Sequence, residues 1–353
     1  MTMATTATLI LAGDIGGTHS RLAIFRQDSG RLRLMLEKTY LSREHANLDG
    51  IVDLFLRESS VGNGNLTQPR AAVTTACFGI AGPVLHGRVN ASNLAWVVDA
   101  RELSHSTGIE RVWLINDLAA HASGVDDLEA GDLVTLNAGQ AAEGNAALIA
   151  AGTGLGEAGM YWDGARRHAF ASEGGHADFA PRNELEAGLY TYLMNKYVHV
   201  SGERVLSGPG LKNIYDFLRD SAREIEPAWL KDAMTAASDP AALISQHGLE
   251  GKAAICERAL EIFAGAYGSE AGNLALRMLA VGGVFLSGGI AAKILPKLRQ
   301  GDFLEAFIEK GRMRTLLAQI PIKVITNDRV GLIGAARYAL TLQAENAGAP
   351  AVR

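Results

Sequence analysis

Cysteine is scarce in this chain of 353 residues, which contains only Cys77 and Cys256. Two cysteines so far apart have neither the spacing of a metal site nor the number that a disulfide framework needs.

Long apolar runs are also missing. One long uncharged stretch, Met278 to Ala292, contains four glycines and is shorter than the ~20 residues of a membrane-spanning helix. The N-terminal segment has no basic region and too short an apolar run for a signal peptide, so we expect no membrane segment and a cytoplasmic location.

Basic residues are outnumbered, because 33 lysines and arginines face 38 acidic residues and the formal net charge is −5. A nucleic-acid-binding protein usually carries a basic stripe, so this balance argues against a nucleic-acid partner. The apolar fraction of 48% and the charged fraction of 20% are ordinary for a globular protein. The length predicts two domains, although no proline- or serine-rich linker separates them.

Short strands and helices alternate over the first half of the chain, and helices dominate beyond Glu184. We predict strands over Leu9–Ala12, Arg21–Phe25, Leu32–Tyr40, Ala71–Gly82, Arg111–Asp117 and Ile320–Ile325. We predict helices over Ile51–Glu58, Ala100–Ser106 with Asp99 as N-cap, Glu184–Tyr197, Gly210–Asp220, Pro227–Ala237, Lys252–Leu279 and Val330–Gln343. Between the last two helices, Val281–Leu295 predicts a strand, a Gly-Gly turn and a helix.

The segment Leu9–Phe25 places Asp-Ile-Gly-Gly-Thr between two strand-like runs, which is more chemistry than a hairpin turn requires. The pattern partly recurs over Ala146–Trp162, where a glycine-rich turn with a threonine again separates two apolar strands. Two similar hairpins predict two related domains, each of which contributes one loop to a shared cleft.

Three glycine-rich loops follow predicted strands, at Asp14–Thr18, Gly152–Gly156 and Ser287–Ile290. Glycine lets the backbone approach a ligand closely and turn its N–H groups toward an anion. Asp14 would repel a bare phosphate. Its presence beside these glycines therefore favours a Mg²⁺ ion between the Asp14 carboxylate and the phosphate. The alternative for each loop is a plain turn, but three loops at strand ends together favour phosphate binding.

Two common phosphate-binding motifs do not account for these loops. The P-loop pattern is absent, because the only Gly-Lys pair, Gly251-Lys252, is followed by alanine where the motif has serine or threonine. Gly154, Gly156 and Gly159 match the dinucleotide fingerprint by letter, but that fingerprint must open a helix. The residues that follow are typical of a strand and a turn, so we reject the match.

Asp117 follows Asn116 at the end of a predicted strand. A carboxylate in this position can act as a general base toward a hydroxyl group, with the neighbouring amide fixing the substrate. The alternative is that Asp117 is the N-cap of a helix that starts at Leu118, which is a common role for aspartate.

Two other polar residues are candidates for binding a sugar. Glu173 and His176 flank two glycines and can bind hydroxyl groups, and the alternative is an ordinary polar loop. Zinc is discounted, because no second histidine or cysteine lies at ligand spacing. Glu203 precedes a predicted helix start, where the helix dipole already favours an acid. The other histidines, such as His121 and His199, are expected at the surface or in packing.

Eight motifs occur together and in order: GDIGGTHSRLA, INDL, AGTGLG, EGGHADFAP, SGERVLSGPGL, AGNLAL, GGVFLSGGI and GLIGAA. This set resembles the bacterial ATP-dependent glucokinases that lack the zinc-binding cysteine cluster of the repressor and kinase sugar family. The resemblance runs from about Leu9 to about Leu340. EGGHADFAP and ERVLSGPG are specific to this family, whereas DxGGT is shared with the wider actin/hexokinase superfamily.

The resemblance implies an α/β fold in which two ribonuclease-H-like domains of the actin/hexokinase type flank a central cleft. By analogy, the small domain comprises residues 1–127 and 327–353, and the large domain comprises residues 128–326. The implied reaction transfers the γ-phosphoryl group of ATP to the 6-hydroxyl of glucose, the first step of glycolysis. Glucose and ATP are the implied partners and Mg²⁺ the implied cofactor, and a homodimer is an expectation at the level of the family.

The resemblance also implies roles for single residues. Asp117 resembles the catalytic base for the sugar hydroxyl, and Asp14 would organise Mg²⁺ through water. The implied sugar-binding residues are Asn93, Asn116, Asp117, Glu173, His176 and Glu203. The implied nucleotide-binding residues are Gly13, Asp14, Ile15, Gly16, Gly17, Thr18, Gly152, Thr153, Gly154, Gly288 and Gly289.

Two residues depart from the pattern of this family. His19 stands where asparagine is common, and Glu157 stands where a small apolar residue is frequent. Neither has an assigned role, but both can alter nucleotide affinity or domain closure.

Three other functions are weighed against glucose phosphorylation. A sugar-sensing regulator of the same fold usually has a basic helix-turn-helix before the first loop, but none of the residues before Asp14 is basic. An actin-like ATPase would have no need of Glu173, His176 and Glu203. A kinase that acts on another hexose, or that uses polyphosphate or ADP, stays open.

Overall fold

The computed structural model describes residues 8–28, 30–61 and 73–348. The first two residues of the predicted strand Ala71–Gly82 lie outside this part of the chain. The chain divides into two compact units. The first unit comprises Met1–Ala130, Ala169–Ala171 and Asn327–Arg353, and the second comprises Gly131–His168 and Ser172–Thr326. No helix in the described part is long and apolar enough to cross a membrane.

The described residues form strands and helices in alternation. The strands are β1 (Leu9–Ile15), β2 (His19–Asp28), β3 (Arg31–Leu41), β4 (Val73–Ile80), β5 (Arg88–Asn90), β6 (Val97–Asp99), β7 (Arg111–Asn116), β8 (Leu133–Asn137), β9 (Ala146–Ala151), β10 (Leu155–Trp162), β11 (Arg167–Ser172), β12 (Val284–Ser287) and β13 (Ile322–Ile325). The helices are α1 (Leu48–Val61), α2 (Ala100–Thr107), α3 (Asp117–Gly124), α4 (Glu184–Met194), α5 (Gly208–Asp220), α6 (Ala228–Ala236), α7 (Pro240–Leu249), α8 (Ala254–Met278), α9 (Gly288–Lys293), α10 (Leu295–Leu298), α11 (Asp302–Ile308), α12 (Arg314–Ala318) and α13 (Val330–Gly348).

The first unit is built on a five-stranded sheet with the order β3-β2-β1-β4-β7. β2 pairs antiparallel with both β1 and β3, whereas β1, β4 and β7 are parallel. Helices cover both faces, so alternate residues of β1 enter two different cores. Leu11 packs in the core that contains residues of α1, and Ile10 packs in the core that contains residues of α13. Burial on both faces explains why β1 has a continuous apolar run rather than an alternating one.

The second unit repeats this plan. Its sheet has the order β11-β10-β9-β12-β13-β8, with β9 and β10 antiparallel and β9, β12 and β13 parallel. Apart from the added strand β8, the order matches that of the first unit. Both predicted hairpins are therefore present. The fold is α/β and is built from two ribonuclease-H-like sheets.

Several element bounds differ from those predicted. β1 continues to Ile15, which places Asp14 within the strand. α4 ends at Met194 rather than at Tyr197. α5 begins at Gly208 rather than at Gly210, because the Ser207 hydroxyl accepts the Gly210 N–H and acts as the N-cap. No pattern predicted the strands β5, β6, β8 and β11, the helices α7 and α11, or the short helices α10 and α12.

Candidate active site

The carboxyl ends of β1, β4 and β7 lie at one edge of the first sheet. In the register of these parallel strands, Asp14 is opposite Gly79, and Ile80 is opposite Asn116. Gly79 lets α3 lie close to the sheet, because a Cβ there would be 3.0 Å from the Cβ of Ala120. The acidic residue of the first loop and the start of α3 are thus brought to the same edge. Ligands bind at this edge in open α/β sheets.

The turn between β1 and β2 is held from outside by a buried serine. The Gly16 N–H donates to the His19 carbonyl at 2.9 Å. Ser42 donates its hydroxyl to the Gly16 carbonyl at 2.7 Å and its N–H to the Thr18 carbonyl at 2.9 Å. Ser42 was not among the predicted residues, because no motif marks it and it follows the loop by more than twenty residues.

The predicted residues of this loop occupy different environments. Asn93 packs against Gly17, since a Cβ on Gly17 would lie 2.6 Å from the Asn93 Cβ. Gly13 and Ile15 are buried within β1, and a Cβ on Gly13 would lie 2.4 Å from the Phe78 ring. Gly13 therefore has a packing reason to be glycine, and its contact with a nucleotide stays a prediction.

Asn116, rather than Asp117, is the N-cap of α3, so the capping alternative given above for Asp117 is wrong. The Asn116 Oδ1 accepts the Leu118 N–H at 3.0 Å and the Ala119 N–H at 3.2 Å. Its Nδ2 donates to the Gly82 carbonyl at 3.3 Å and to the Asp117 Oδ1 at 3.0 Å. Asn116 thereby orients the Asp117 carboxyl, which sits at the first position of the helix.

Asp117 lies in an environment that favours proton uptake. Burial raises the pKa of Asp117 above its ordinary value, and the nearby Asp14 carboxylate raises it further, while His121 and the Leu118 N–H act in the opposite direction. Asp14 and His121 converge on the start of α13. A Cβ on Gly331 would be 2.9 Å from the His121 Nε2 and 3.2 Å from the Asp14 Cγ.

His121 was expected to be a surface or packing residue, but it lies near the two acidic residues of this site, Asp14 and Asp117. These two residues are called the acidic pair below. The signal in the sequence was its position four residues after Asp117, which places both side chains on one face of a helix.

The acidic pair fits a phosphate-bound Mg²⁺ ion. Two carboxylates close together repel each other, and a divalent cation would neutralise them with the hard oxygen ligands that it prefers. No group of three or more metal-binding side chains occurs in the described ranges. Mg²⁺ is usually held by one or two carboxylates together with water and substrate phosphates, so a single carboxylate such as Asp14 is sufficient.

The second unit brings Glu173, His176 and Glu203 together around Leu155, at the start of β10. The Glu203 Oε2 accepts the Leu155 N–H at 3.1 Å. A Cβ on Gly175 would lie 2.0 Å from the Leu155 carbonyl, so only glycine allows this approach. Glu173 and His176 are 58% and 62% exposed, with 3.9 Å between their side-chain oxygen and nitrogen. Both side chains are therefore available to a ligand.

Backbone hydrogen bonds connect the segment that follows His176 with the segment that precedes Glu203. The Phe179 N–H donates to the Val200 carbonyl at 3.0 Å, and the Gly202 N–H donates to the Ala177 carbonyl at 2.9 Å. The His199 ring nitrogen lies 2.9 Å from the His176 carbonyl oxygen. His199 is 55% exposed and is thus a surface residue, within the expectation, and its ring contacts the candidate sugar-binding segment, Glu173–His176.

A cavity of about 560 Å³ in the second unit collects residues from two of the glycine-rich loops. A Cβ on Gly152 or Gly289 would face open space. The start of α5 reaches this loop, where the Gly208 N–H donates to the Gly152 carbonyl at 2.8 Å, and helix N-termini favour anions. The cavity has the size of a small-molecule site. Its lining includes Gly152, Thr153, Gly208, Pro209, Asp239, Gly289, Ile290 and Lys293.

Known proteins of one family match almost the whole chain. The family model described as Glucokinase matches residues 11–342. A glucokinase from a Nostoc species is 43% identical over 349 residues, which cover 95% of this chain and 100% of that relative.

Solved structures agree with this assignment. The crystal structure of a glucokinase from an Antarctic psychrotroph has a TM-score of 0.81 and 30% identity, and the match covers 95% of this chain and 99% of that one. A ROK-family glucokinase from Streptomyces griseus, solved with glucose and AMPPNP, shares the fold with a TM-score of 0.61 and 20% identity, over 94% of this chain and 99% of that one. The chain therefore belongs to the glucokinase family and is an ATP-dependent sugar kinase.

Proposed function

We propose that this protein transfers the γ-phosphoryl group of ATP to the 6-hydroxyl of glucose, giving glucose 6-phosphate and ADP. The observation that carries the proposal is the setting of Asp117. It stands at the first turn of a helix, its Oδ1 is held by Asn116 at 3.0 Å, and burial raises its pKa. Such a carboxylate is fixed in place and is a stronger proton acceptor than an exposed one.

In this proposal, Asp117 accepts the proton of the sugar hydroxyl as the new O–P bond forms. Phosphoryl transfer needs little covalent chemistry from the protein, which mainly positions the reactants and balances the charge on the phosphate oxygens. When bound, Mg²⁺ supplies part of that balance. Asp14 is the residue that we propose to hold it, through water. The backbone N–H groups of Gly17, Thr18, Thr153 and Gly154 would face phosphate oxygens, while those of Gly16 and Gly152 donate within their own turns.

We propose that the second unit binds adenosine in the cavity beside Gly152, Gly288 and Gly289. Gly288 has a φ of +81°, a conformation that glycine adopts without cost. It directs the chain from β12 into α9, whose first residues line the cavity. The complex of the Streptomyces griseus relative with AMPPNP supports an adenine nucleotide as the ligand.

We propose that Glu173, His176 and Glu203 bind the sugar hydroxyls, together with Asn93 and Asn116. Polar groups that are placed to bind each hydroxyl reject analogues that lack one, because their partners are then left unpaired. Two finer proposals concern the whole protein. We propose a homodimer by analogy with the family. We also propose a cytoplasmic location, since both cysteines are free and buried and thiols persist in reducing compartments.

The test is a coupled assay of the full chain with glucose, mannose and fructose as acceptors and with MgATP, MgADP and polyphosphate as donors. We expect the highest kcat/KM with glucose and MgATP. If another hexose or donor is strongly preferred, the substrate assignment is wrong. If glucose and MgATP give no glucose 6-phosphate, the proposed reaction is wrong.

A further inference from the structure

Glu157 is a buried carboxyl group beneath the candidate sugar-binding segment. It lies on β10 and is 1% exposed. A Cβ on Gly174 would be 2.1 Å from the Glu157 Oε2 and 2.9 Å from its Cδ, so glycine at position 174 leaves just enough room for the carboxyl. Gly174 begins the 3-10 turn Gly174–His176, between the two candidate sugar ligands Glu173 and His176. The Glu157 carboxyl therefore packs directly against this turn.

A second carboxyl group faces Glu157 from α8. The Glu270 Oε1 accepts a hydrogen bond from Arg277 at 2.9 Å, and its Oε2 accepts one from Asn273 at 3.0 Å. The Glu157 Oε1 is buried and has no hydrogen-bond partner. Two carboxylates can only accept hydrogen bonds. A proton on Glu157 supplies the missing donor, with Glu270 as its acceptor, and satisfies the buried oxygen.

Among the charged groups around Glu157, Glu270 has the largest effect on its pKa. α8 presents Glu270, Arg277 and the buried Tyr267, whose own pKa is raised mainly by burial and slightly by Glu157. Lys310 lies near Glu270. β9 places apolar Ile149 opposite Glu157. Ser172, the last residue of β11, accepts the Gly174 N–H through its Oγ at 2.9 Å. Burial and Glu270 raise the pKa of Glu157 to about 7, against a smaller opposite effect of Arg277.

We propose that Glu157 is a positioning residue for sugar binding, and that its protonated carboxyl, hydrogen-bonded to Glu270, holds the Gly174–His176 turn in the binding conformation. Loss of the proton places two like charges beneath the turn and weakens glucose binding. The proposal rests on the proposed function, in which Glu173 and His176 bind glucose.

The test compares the pH dependence of KM for glucose and of kcat between pH 6 and 9. In the wild-type protein we expect KM to rise with pH by roughly tenfold, which corresponds to a difference of one pKa unit between the sugar-bound and sugar-free forms. In E157Q, the amide donates to Glu270 at every pH, so we expect KM to stay near the low-pH value of the wild type. At each pH, the kcat of E157Q should stay close to that of the wild type, because Glu157 does not touch the reacting atoms.

Two further variants control the interpretation. E186Q removes another buried acid of the same unit, 3% exposed, which is paired with Arg182 at 2.6 Å. It should keep the wild-type pH dependence of KM. E270Q removes the like charge that raises the pKa of Glu157 and offers an amide donor to its carboxylate, so the rise in KM should disappear. E270Q also tests the pair if E157Q does not fold.

Calorimetric titration of the full chain with glucose at pH 6.5 and 8.5 separates this proposal from the proposed function. Glucose binding that weakens with pH in the wild type, but not in E157Q, supports the positioning role. The same weakening in both proteins overturns the positioning role and leaves the kinase assignment intact. No glucose binding by the wild type at either pH overturns both.

Discussion

Single residues near the reacting groups have more than one task. Asn116 caps α3 and also donates to Asp117, so the helix cap and the orientation of the base depend on one side chain. Ser42 holds the first loop through the carbonyls of Gly16 and Thr18. Supporting contacts of this kind fix the geometry on which a small reactive group depends.

Replacing Asp117 by asparagine tests its role as the base. We expect kcat to fall by ~10²–10⁴-fold, the usual contribution of general base catalysis. Asp117→Asn keeps the oxygen that accepts the Leu118 N–H and removes a buried charge beside Asp14, so the thermal unfolding midpoint should stay the same or rise. Steady-state kinetics and calorimetric unfolding measure both effects. A variant with near-normal turnover would remove Asp117 from this role.

The stability of the protein should depend on pH through Glu157. Its pKa rises from 4.5 to about 7 on folding, so between these values the native state binds more protons than the unfolded state. The free energy of unfolding therefore falls as pH rises through this window, by about 3 kcal/mol when Glu157 is fully ionised. Urea unfolding at pH 5 and pH 8 measures the difference. Glu157→Gln should remove this part of the slope, and an equal slope in the variant would contradict the prediction.

The sequence identified Glu157 as a departure from the family but not its role. Its neighbour Glu270 lies more than a hundred residues away along the chain, and no pattern of spacing connects a strand residue to a helix residue at that distance. His121 was within reach of sequence reasoning, since it follows Asp117 by one helical turn.

At the scale of elements, small residues decide how closely α3 and α13 pack. A Cβ on Gly334 would lie 1.7 Å from the Ala120 carbonyl, and one on Gly124 would lie 2.5 Å from the Val330 carbonyl. Backbone therefore meets backbone where these helices cross. This packing places the start of α13 beside Asp14 and His121.

Gly334→Ala should separate the two helices. The added methyl group cannot avoid the Ala120 carbonyl, and overpacking of this kind usually costs ~1–3 kcal/mol. We expect a lower midpoint of urea unfolding and also a lower kcat, because the start of α13 moves away from Asp14. Gly131→Ala is the matched control, since a Cβ there meets nothing within 4 Å. Equal stability of the two variants would contradict the close crossing.

Elements with a strong local pattern were predicted well, and those without one were missed. α2 was predicted from its cap, and the Asp99 carboxylate does accept the N–H groups of Arg101 and Glu102. β8 and β11 lie at the two edges of their sheet and have no buried residues, so neither shows a periodic apolar pattern. α7 was missed although Asp239 and Pro240 mark its start, because it follows α6 after only a few residues.

At the scale of the whole molecule, the repeated hairpin in the sequence corresponds to a repeated sheet. The glycine-rich turns were sufficient to predict that relation, since a turn of this kind needs glycine wherever it occurs. The positions of Glu173, His176 and Glu203 around Leu155 could not be derived from spacing, because they depend on contacts between separate loops. The loop context indicated Glu173 and His176 as candidates, whereas Glu203 was identified by the family resemblance.

Removing Mg²⁺ should abolish turnover without unfolding the protein. The described residues contain no cluster of three or more metal-binding side chains, so we expect the metal to arrive with ATP rather than to hold the fold together. Excess EDTA should reduce the rate to background, and added Mg²⁺ should restore it. The thermal unfolding midpoint should be the same with and without EDTA, and a large decrease would instead indicate a structural metal.

The first unit is built from segments that are not continuous in the chain, and this has a consequence for synthesis on the ribosome. The first unit needs its last segment, Asn327–Arg353, whereas the second unit ends at Thr326. Until α13 emerges, the sheet face formed by Ile10, Ala12 and Phe25 lacks the helix residues that bury it. The unit that begins first is therefore completed last, and its uncovered apolar face is a target for chaperones while the remainder of the chain is translated.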